Sequence, residues 1–317
     1  MVLVATVPEL RVRLRNHATV TSDPATPSTR GGALQRWVRC PSCASTLGRD
    51  NSTFGCEHGH RFDLAKEGYL NLLLAQARKS HDPGYSKAMI ASRHAFFSRG
   101  HYEQLADTIA EIVASYVTPS GSAVNAARVL DAGCGEGYYM RRIRNWWEQQ
   151  HLAIDLCGID ISKHGIKLAS KRDPQSAYAV ASSHDLPLPD TCADVIFTHF
   201  SPVFADSFRR VARPNAVVLV GSPGPMHLFG LKALVYERPA PHEETHALAN
   251  HVGFELIGTH RINYRLDLRD NASITDLLAM TPFYWSASEE TQAALAMRTE
   301  LATDIDVNVD AYRVTAP

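Results

Sequence analysis

This 317-residue chain has no apolar run long enough to cross a bilayer as a helix, which leads us to expect a soluble protein. Cysteine is scarce. The six present do not form the framework of a small secreted disulfide scaffold, so a reducing compartment, the cytoplasm, is expected. A net charge is also missing: 32 Lys and Arg stand against 33 Asp and Glu, so overall charge points to no polyanionic partner. Internal repeats are absent, which removes solenoids and propellers.

The charge that is present is unevenly placed. Between Gly31 and Gly100 there are ten basic and five acidic residues, against 22 and 28 in the rest of the chain. Within the basic stretch lies Cys40-Pro41-Ser42-Cys43, followed after a short loop by Cys56-Glu57-His58-Gly59-His60. Two close pairs of soft or borderline ligands across such a loop suit one tetrahedral zinc ion. Cys40, Cys43 and Cys56 supply three ligands. His58 and His60 compete for the fourth place, and His60 is preferred because Gly59 lets the chain turn its imidazole inward. Cys134, Cys157 and Cys192 read as small buried thiols. A basic zinc module of this kind is suited to a phosphate backbone, with Arg39, Arg49, Arg61 and Lys66 as the expected contacts. Ahead of it, Thr19 to Gly32 is rich in Ser, Thr, Pro and Gly without apolar periodicity. Residues 1–35 are therefore expected to be a disordered extension or the product of an upstream start codon. The arginines 11, 13, 15 and 30 leave a transit peptide as the second reading. The expected division is 36–80 for the zinc module and linker and 81–317 for the main domain.

That main domain opens on Val129-Leu130-Asp131-Ala132-Gly133-Cys134-Gly135-Glu136-Gly137, a buried strand delivering an acidic, glycine-rich loop to a nucleotide-like ligand. Asp131 sets the sign of the site: a carboxylate there repels a pyrophosphate but accepts hydrogen bonds from an ammonium. The spacing is G-x-G-x-G, not the G-x-G-x-x-G of dinucleotide folds, which favours S-adenosylmethionine over a nicotinamide cofactor. A second strand ends at Asp160, placed to hold both ribose hydroxyls. A third leads into Ser182-Ser183-His184-Asp185, a polar loop expected at the adenine edge. Further apolar runs at 193–198 and 216–220, with helical stretches between, complete a doubly wound, Rossmann-like α/β sheet with its ligand at the carboxyl ends of the strands.

Several linked stretches carry a more specific likeness: the two zinc knuckles, Phe62 to Leu73, Gly100-His101-Tyr102, Gly133-Cys134-Gly135-Glu136-Gly137-Tyr138-Tyr139, Pro223-Gly224-Pro225-Met226-His227-Leu228 and Met280-Thr281-Pro282-Phe283. With these residues, from about Val38 to Arg313, the chain resembles the 23S ribosomal RNA guanine-N1 methyltransferases, the RlmA family. Its loop and Pro-Gly-Pro-Met-His stretch are more like the Gram-negative branch than the tylosin-resistance branch. The resemblance implies a class I methyltransferase domain, an N-terminal zinc module that recognises RNA, and a homodimer whose subunits frame an RNA cleft. It also implies Cys40, Cys43, Cys56 and His60 as zinc ligands, and Tyr102, Gly135, Glu136 and His227 as cofactor contacts. The chain departs from the usual methyltransferase pattern at Arg213-Pro214-Asn215-Ala216, where a Gly-Gly turn is common.

Guanine N1 carries a proton that must leave before its lone pair can attack, so a general base or a site stabilising an enolate-like O6 is expected. His199 and Asp185 are the candidate bases, with water as a third. The loop His199-Phe200-Ser201-Pro202 lacks the Asn-Pro-Pro-Tyr pattern of amino-group methyltransferases, which suits a ring nitrogen. Phe200 or Phe204 is expected to stack on an exposed base. Two other functions stay open on sequence: methylation of transfer RNA or another nucleic acid, and a zinc-anchored RNA-binding or assembly factor without turnover. The guanine modified is not specified by sequence.

Overall fold

The computed structural model describes residues 31–75, 86–117 and 126–315. Residues 1–30 of the expected extension, and 76–80 of the expected linker, lie outside them. Chain order begins with a 3-10 turn, Gly32–Arg36, then β1 (Gly48–Asp50), β2 (Thr53–Gly55), β3 (Arg61–Asp63) and β4 (Leu70–Asn71). Helices α1 (Lys87–Ser98) and α2 (Glu103–Ser115) precede β5 (Ala127–Ala132), α3 (Tyr138–Gln149), β6 (Ile154–Asp160), α4 (Lys163–Arg172) and β7 (Ala177–Val180). There follow β8 (Ala193–His199), α5 (Ala205–Val211), β9 (Ala212–Pro223), α6 (Phe229–Val235) and β10 (Phe254–Leu268). The chain ends with α7 (Asn271–Ala279), α8 (Phe283–Ser286), α9 (Glu289–Ala296) and β11 (Leu301–Val314).

Strands β1–β3 form a small antiparallel sheet that carries the zinc knuckles, and the other eight form one sheet in the order β10-β11-β9-β8-β5-β6-β7-β4. Strands β5 to β9 are parallel, as the alternation of strand and helix requires. Their side chains alternate between two apolar layers. Val129, Leu156, Val195 and Leu219 enter the layer with α1, α2 and α3, while Leu130, Cys157, Ile196 and Val218 enter the layer with the zinc module and α5. Chain order along the sheet reverses at β5, flanked by β6 and β8, and that switch point puts the glycine loop in the crevice at the strands' carboxyl ends. Among the described residues, no helix is long and apolar enough to cross a membrane.

Three features differ from the expected organisation. Residues ahead of the expected boundary at residue 36 already belong to the packed fold, because Ala33 and Leu34 are buried in the second layer. The zinc module is not a separate satellite: β4, within its expected span, pairs with β7 as the edge of the main sheet, and Trp37, Leu47 and Phe54 share the second layer. Polar contacts fix the same joint. Arg36 and Trp37 both bond Asp155, the Arg128 guanidinium lies 4.1 Å from the centre of the Trp37 ring, and Arg39 pairs with Asp190 at 3.1 Å. Arg39 is thus tied to the catalytic domain instead of projecting toward phosphate. Finally, β10 and β11, joined through α7, α8 and α9, add a long antiparallel pair to the sheet, with β11 in its interior. Strand β11 buries Asp306 and Asp310, which are satisfied by Arg261 and the Met226 amide, and by Thr259, His246 and Tyr312.

Candidate active site and zinc centre

The zinc ligands converge from two turns. Cys40 opens one: its amide donates to the Ser45 carbonyl at 2.8 Å, and its own carbonyl accepts from the Ala44 amide at 2.9 Å. Gly59, at φ +83°, lets the second turn close, with its amide on the Cys56 carbonyl at 3.0 Å. The Cys40, Cys43 and Cys56 sulfurs and a His60 ring nitrogen all lie within 4.8 Å of one another. Cys43 and Cys56 Sγ are 3.7 Å apart, and His60 Nδ1 is 3.5 and 3.3 Å from Cys40 and Cys56 Sγ. A tetrahedron with metal–sulfur bonds of about 2.3 Å has edges of about 3.8 Å, so this donor set fits zinc. His58 is excluded by position: its ring is exposed and its Nδ1 meets the Ser45 hydroxyl at 3.2 Å. Hydrogen bonds from Ser45, its backbone amide first, draw the Cys43 thiol down to about 5, which favours the thiolate that zinc requires.

The glycine loop is built at the end of β5. The Gly133 and Cys134 amides both donate to the Ile159 carbonyl, at 2.7 and 3.1 Å. Gly133 sits at φ +106°, and a Cβ there would come within 2.2 Å of the Ser201 hydroxyl, so the residue type is required by sterics. Asp160 holds the loop from β6: its Oδ2 accepts from the Gly135 amide at 2.8 Å and its Oδ1 from the Ser162 amide at 2.7 Å. Each oxygen keeps a lone pair that a ribose hydroxyl can use. Burial raises the Asp160 carboxyl above its usual range, and the two amides oppose the rise.

Asp131 is the informative member. It is buried, its Oδ2 has no hydrogen-bond partner, and burial followed by the charge of Asp160 pushes it up to about 8. A buried acceptor of this kind is costly until a donor arrives. The ammonium of a methionine moiety is such a donor, and the site therefore fits S-adenosylmethionine, which Asp131, Asp160 and the loop backbone would hold.

Beside the loop opens a cavity of about 500 Å³ whose lining includes Arg93, Phe97, Tyr102, Tyr139, Phe200, His227 and His242, with Met280 to Phe283 along one side. Tyr102 occupies the N-cap position of α2 and is buried edge-on against Phe96. His227 follows the turn after β9; its Nδ1 accepts from the Asp306 amide at 3.3 Å, which leaves the hydrogen on Nε2. Burial first, then His242, lowers it to about 3, so the ring is neutral. Phe200 adopts φ +53°, a strained conformation for a phenylalanine, and its ring lies 5.0 Å from that of His227. Phe204 is placed differently, edge-on to His184 at 5.3 Å.

Asp131, Asp160 and the glycine loop lie behind the cavity wall and are not part of its lining. Asp185 is exposed on a surface turn, 3.8 Å from the Arg210 guanidinium, so it is withdrawn as a base. His199 lies beneath Phe200 with neither ring nitrogen hydrogen-bonded, packed against Tyr139, and burial holds it well below the usual histidine range. Ser183 and His184 occupy the turn after β7, capped by the Ser182 hydroxyl, and do not line the cavity. Glu136 is buried with its carboxylate 3.2 Å from His94 and 3.6 Å from the Arg172 guanidinium, and neither of its oxygens is hydrogen-bonded. Sequence reasoning missed Arg93 and His242: each lies in a stretch where no local motif marks a basic side chain as cavity-facing.

Known proteins agree with both halves. Residues 38–81 match the RlmA zinc ribbon family model, described as RlmA, N-terminal, and residues 130–220 match the methyltransferase domain model. The 23S rRNA (guanine(748)-N(1))-methyltransferase of Streptomyces fradiae is 33% identical over 79% of this chain and 86% of its own length. A putative 23S rRNA (guanine-N(1)-)-methyltransferase of Bacillus subtilis is 30% identical over 86% of this chain and 94% of its own length, and one of Micromonospora griseorubida is 31% identical over 78% and 86%. With the zinc ribbon, the glycine loop and this likeness over 78 to 86% of its length, the chain belongs to the 23S rRNA (guanine-N1)-methyltransferase family.

Proposed function

We propose that this protein transfers the methyl group of S-adenosylmethionine to N1 of a guanine in 23S ribosomal RNA, acting in the cytoplasm as a homodimer. The observation that carries the reading is the orphaned, buried Asp131 carboxylate beside an aromatic-lined cavity with room for a planar base. When bound, the cofactor supplies a methyl carbon already activated by its sulfonium. The chain's own residues then align and desolvate. Asp131 and Asp160 fix the donor, Phe200 offers a ring face to the base, and Tyr102 and Tyr139 keep water from the methionine end. The Nε2–H of neutral His227 is a hydrogen-bond donor for the charge that grows on guanine O6 as the N1 proton leaves. With Asp185 on the surface and His199 sealed beneath Phe200, water is the acceptor we favour for that proton.

The zinc ribbon serves as the RNA reader in this proposal, through the exposed Arg61 and Lys66, since Arg36 and Arg39 are bonded to Asp155 and Asp190. Primer extension on 23S rRNA from cells with and without the gene tests the function directly, because N1 methylation blocks base pairing and stops reverse transcriptase. A gene-dependent stop one nucleotide before a guanine is expected. A stop at guanine 748 would place the protein with the S. fradiae enzyme and against the Gram-negative branch suggested by its glycine loop. Gene-dependent stops found only when the same extension is run on transfer RNA would replace the acceptor, and the absence of any stop in a protein that binds the cofactor would favour an RNA-binding factor.

A further inference from the structure

The methionine end of the cofactor is a zwitterion. Asp131 meets one of its charges and leaves the other, the α-carboxylate, without an assigned seat. We propose that the Arg93 guanidinium, standing over Gly135 at the wall of the cavity, binds that carboxylate. The inference rests on the reading that S-adenosylmethionine occupies this site.

Three observations place Arg93 there. It lines the cavity together with Phe97 and Tyr102. Its Cζ lies 3.8 Å from the point a Gly135 Cβ would occupy, so the guanidinium stands directly over the glycine loop, and it lies 5.1 Å from the centre of the Phe97 ring. The aromatic contact fixes the side chain's course from the middle of α1. Its charge also reaches both acids of the site, opposing the rise of the Asp131 and Asp160 carboxyls. The remaining basic side chains of the lining do not compete: burial lowers both His227 and His242, which makes them neutral at pH 7.5. Arginine is also the chemically suited residue, since its planar fork matches a carboxylate bidentately where an ammonium offers only a point charge. In this arrangement Asp131 and Arg93 grip opposite charges of one amino-acid moiety. The grip selects a zwitterion and turns the sulfonium toward the acceptor side of the cavity.

The test compares two ligands by titration calorimetry on the zinc-loaded full chain: S-adenosylhomocysteine, and its analogue with hydrogen in place of the carboxylate. Arg93→Met keeps the stem that packs on Phe97, and Arg93→Lys keeps the charge. We expect Arg93→Met to weaken S-adenosylhomocysteine about ten- to a hundredfold while changing the analogue by less than about twofold, with Arg93→Lys between it and wild type. An equal loss for both ligands, or no loss for either, overturns the assignment. If the wild-type protein binds neither ligand, the cofactor reading itself fails, a result separate from any effect of Arg93. Thermal unfolding of Arg93→Met that matches wild type guards the comparison against a merely structural role.

Discussion

Replacing Asp131 by Asn separates what the residue costs the fold from what it gives the site. The side chain keeps its shape and loses its charge. Buried next to Asp160 and lacking a partner for Oδ2, the wild-type carboxyl sits at about 8 against an ordinary 3.8. A folded value above the unfolded one means that its contribution to stability is full below about 4 and is lost as pH rises toward 8. Taken through linkage, that gap amounts to about 6 kcal/mol, and water drawn into an open cavity relaxes it to a few kcal/mol. Asp131→Asn is therefore expected to be more stable than wild type by about 2 to 3 kcal/mol at pH 8, with the difference shrinking steadily toward pH 5. An ammonium seated beside Asp131 holds the carboxyl in its charged form, so the same substitution removes a charge-assisted bond from the complex and should weaken S-adenosylmethionine by about 1.5 to 3 kcal/mol, or at least tenfold. Chemical denaturation of both proteins from pH 5 to pH 8.5, each with its zinc retained, and calorimetry at pH 7.5 provide the two readouts. A stability difference that does not vary with pH, or an unchanged cofactor affinity, would refute the argument.

Two further outcomes follow from the shared scaffold. Asp160→Ala should weaken S-adenosylmethionine at least tenfold in calorimetry and also speed hydrogen exchange at the Gly135 and Ser162 amides, because the carboxylate holds both; protected amides with lost affinity would confine Asp160 to the ribose. Cys40→Ser with Cys43→Ser should abolish zinc binding and lower the midpoint for the methyltransferase sheet as well, since β4 and Trp37 join the two; an unchanged sheet midpoint by tryptophan fluorescence would show that the ribbon unfolds alone.

What sequence could tell about this molecule divides by the range of the interaction. The zinc site was legible because its ligands come from two short turns, each defined by residues within five positions, and because Gly59 favoured His60 over His58 for the fourth place. Likewise, the loop from Asp131 to Gly137 carries its own steric requirements, and Asp160 is reached by counting one strand and one helix onward. Asp185 misled for the opposite reason. An acid in a polar loop reads the same whether it faces a ligand or Arg210, and only the packed chain decides between them.

The same division explains the less legible half of the fold. Strand β11, Leu301 to Val314, alternates Asp304, Asp306, Asn308 and Asp310 with apolar residues, which from sequence alone resembles a half-exposed edge strand. It is instead interior to the sheet, between β9 and β10. Its acids tolerate burial because Arg261 reaches Asp306 with two bonds of 2.9 Å, and because Thr259 and His246 reach Asp310 at 2.7 and 2.9 Å. Removing one partner would leave a buried carboxylate uncompensated, so these pairs specify the register of β10 on β11 more than they add net stability. Asp306 also accepts from the Met226 amide, and its own amide donates to His227, so the strand that sequence obscured fixes the histidine facing the cavity. The chemistry of the site thus depends on a pairing between residues about 80 positions apart, which no local pattern could display.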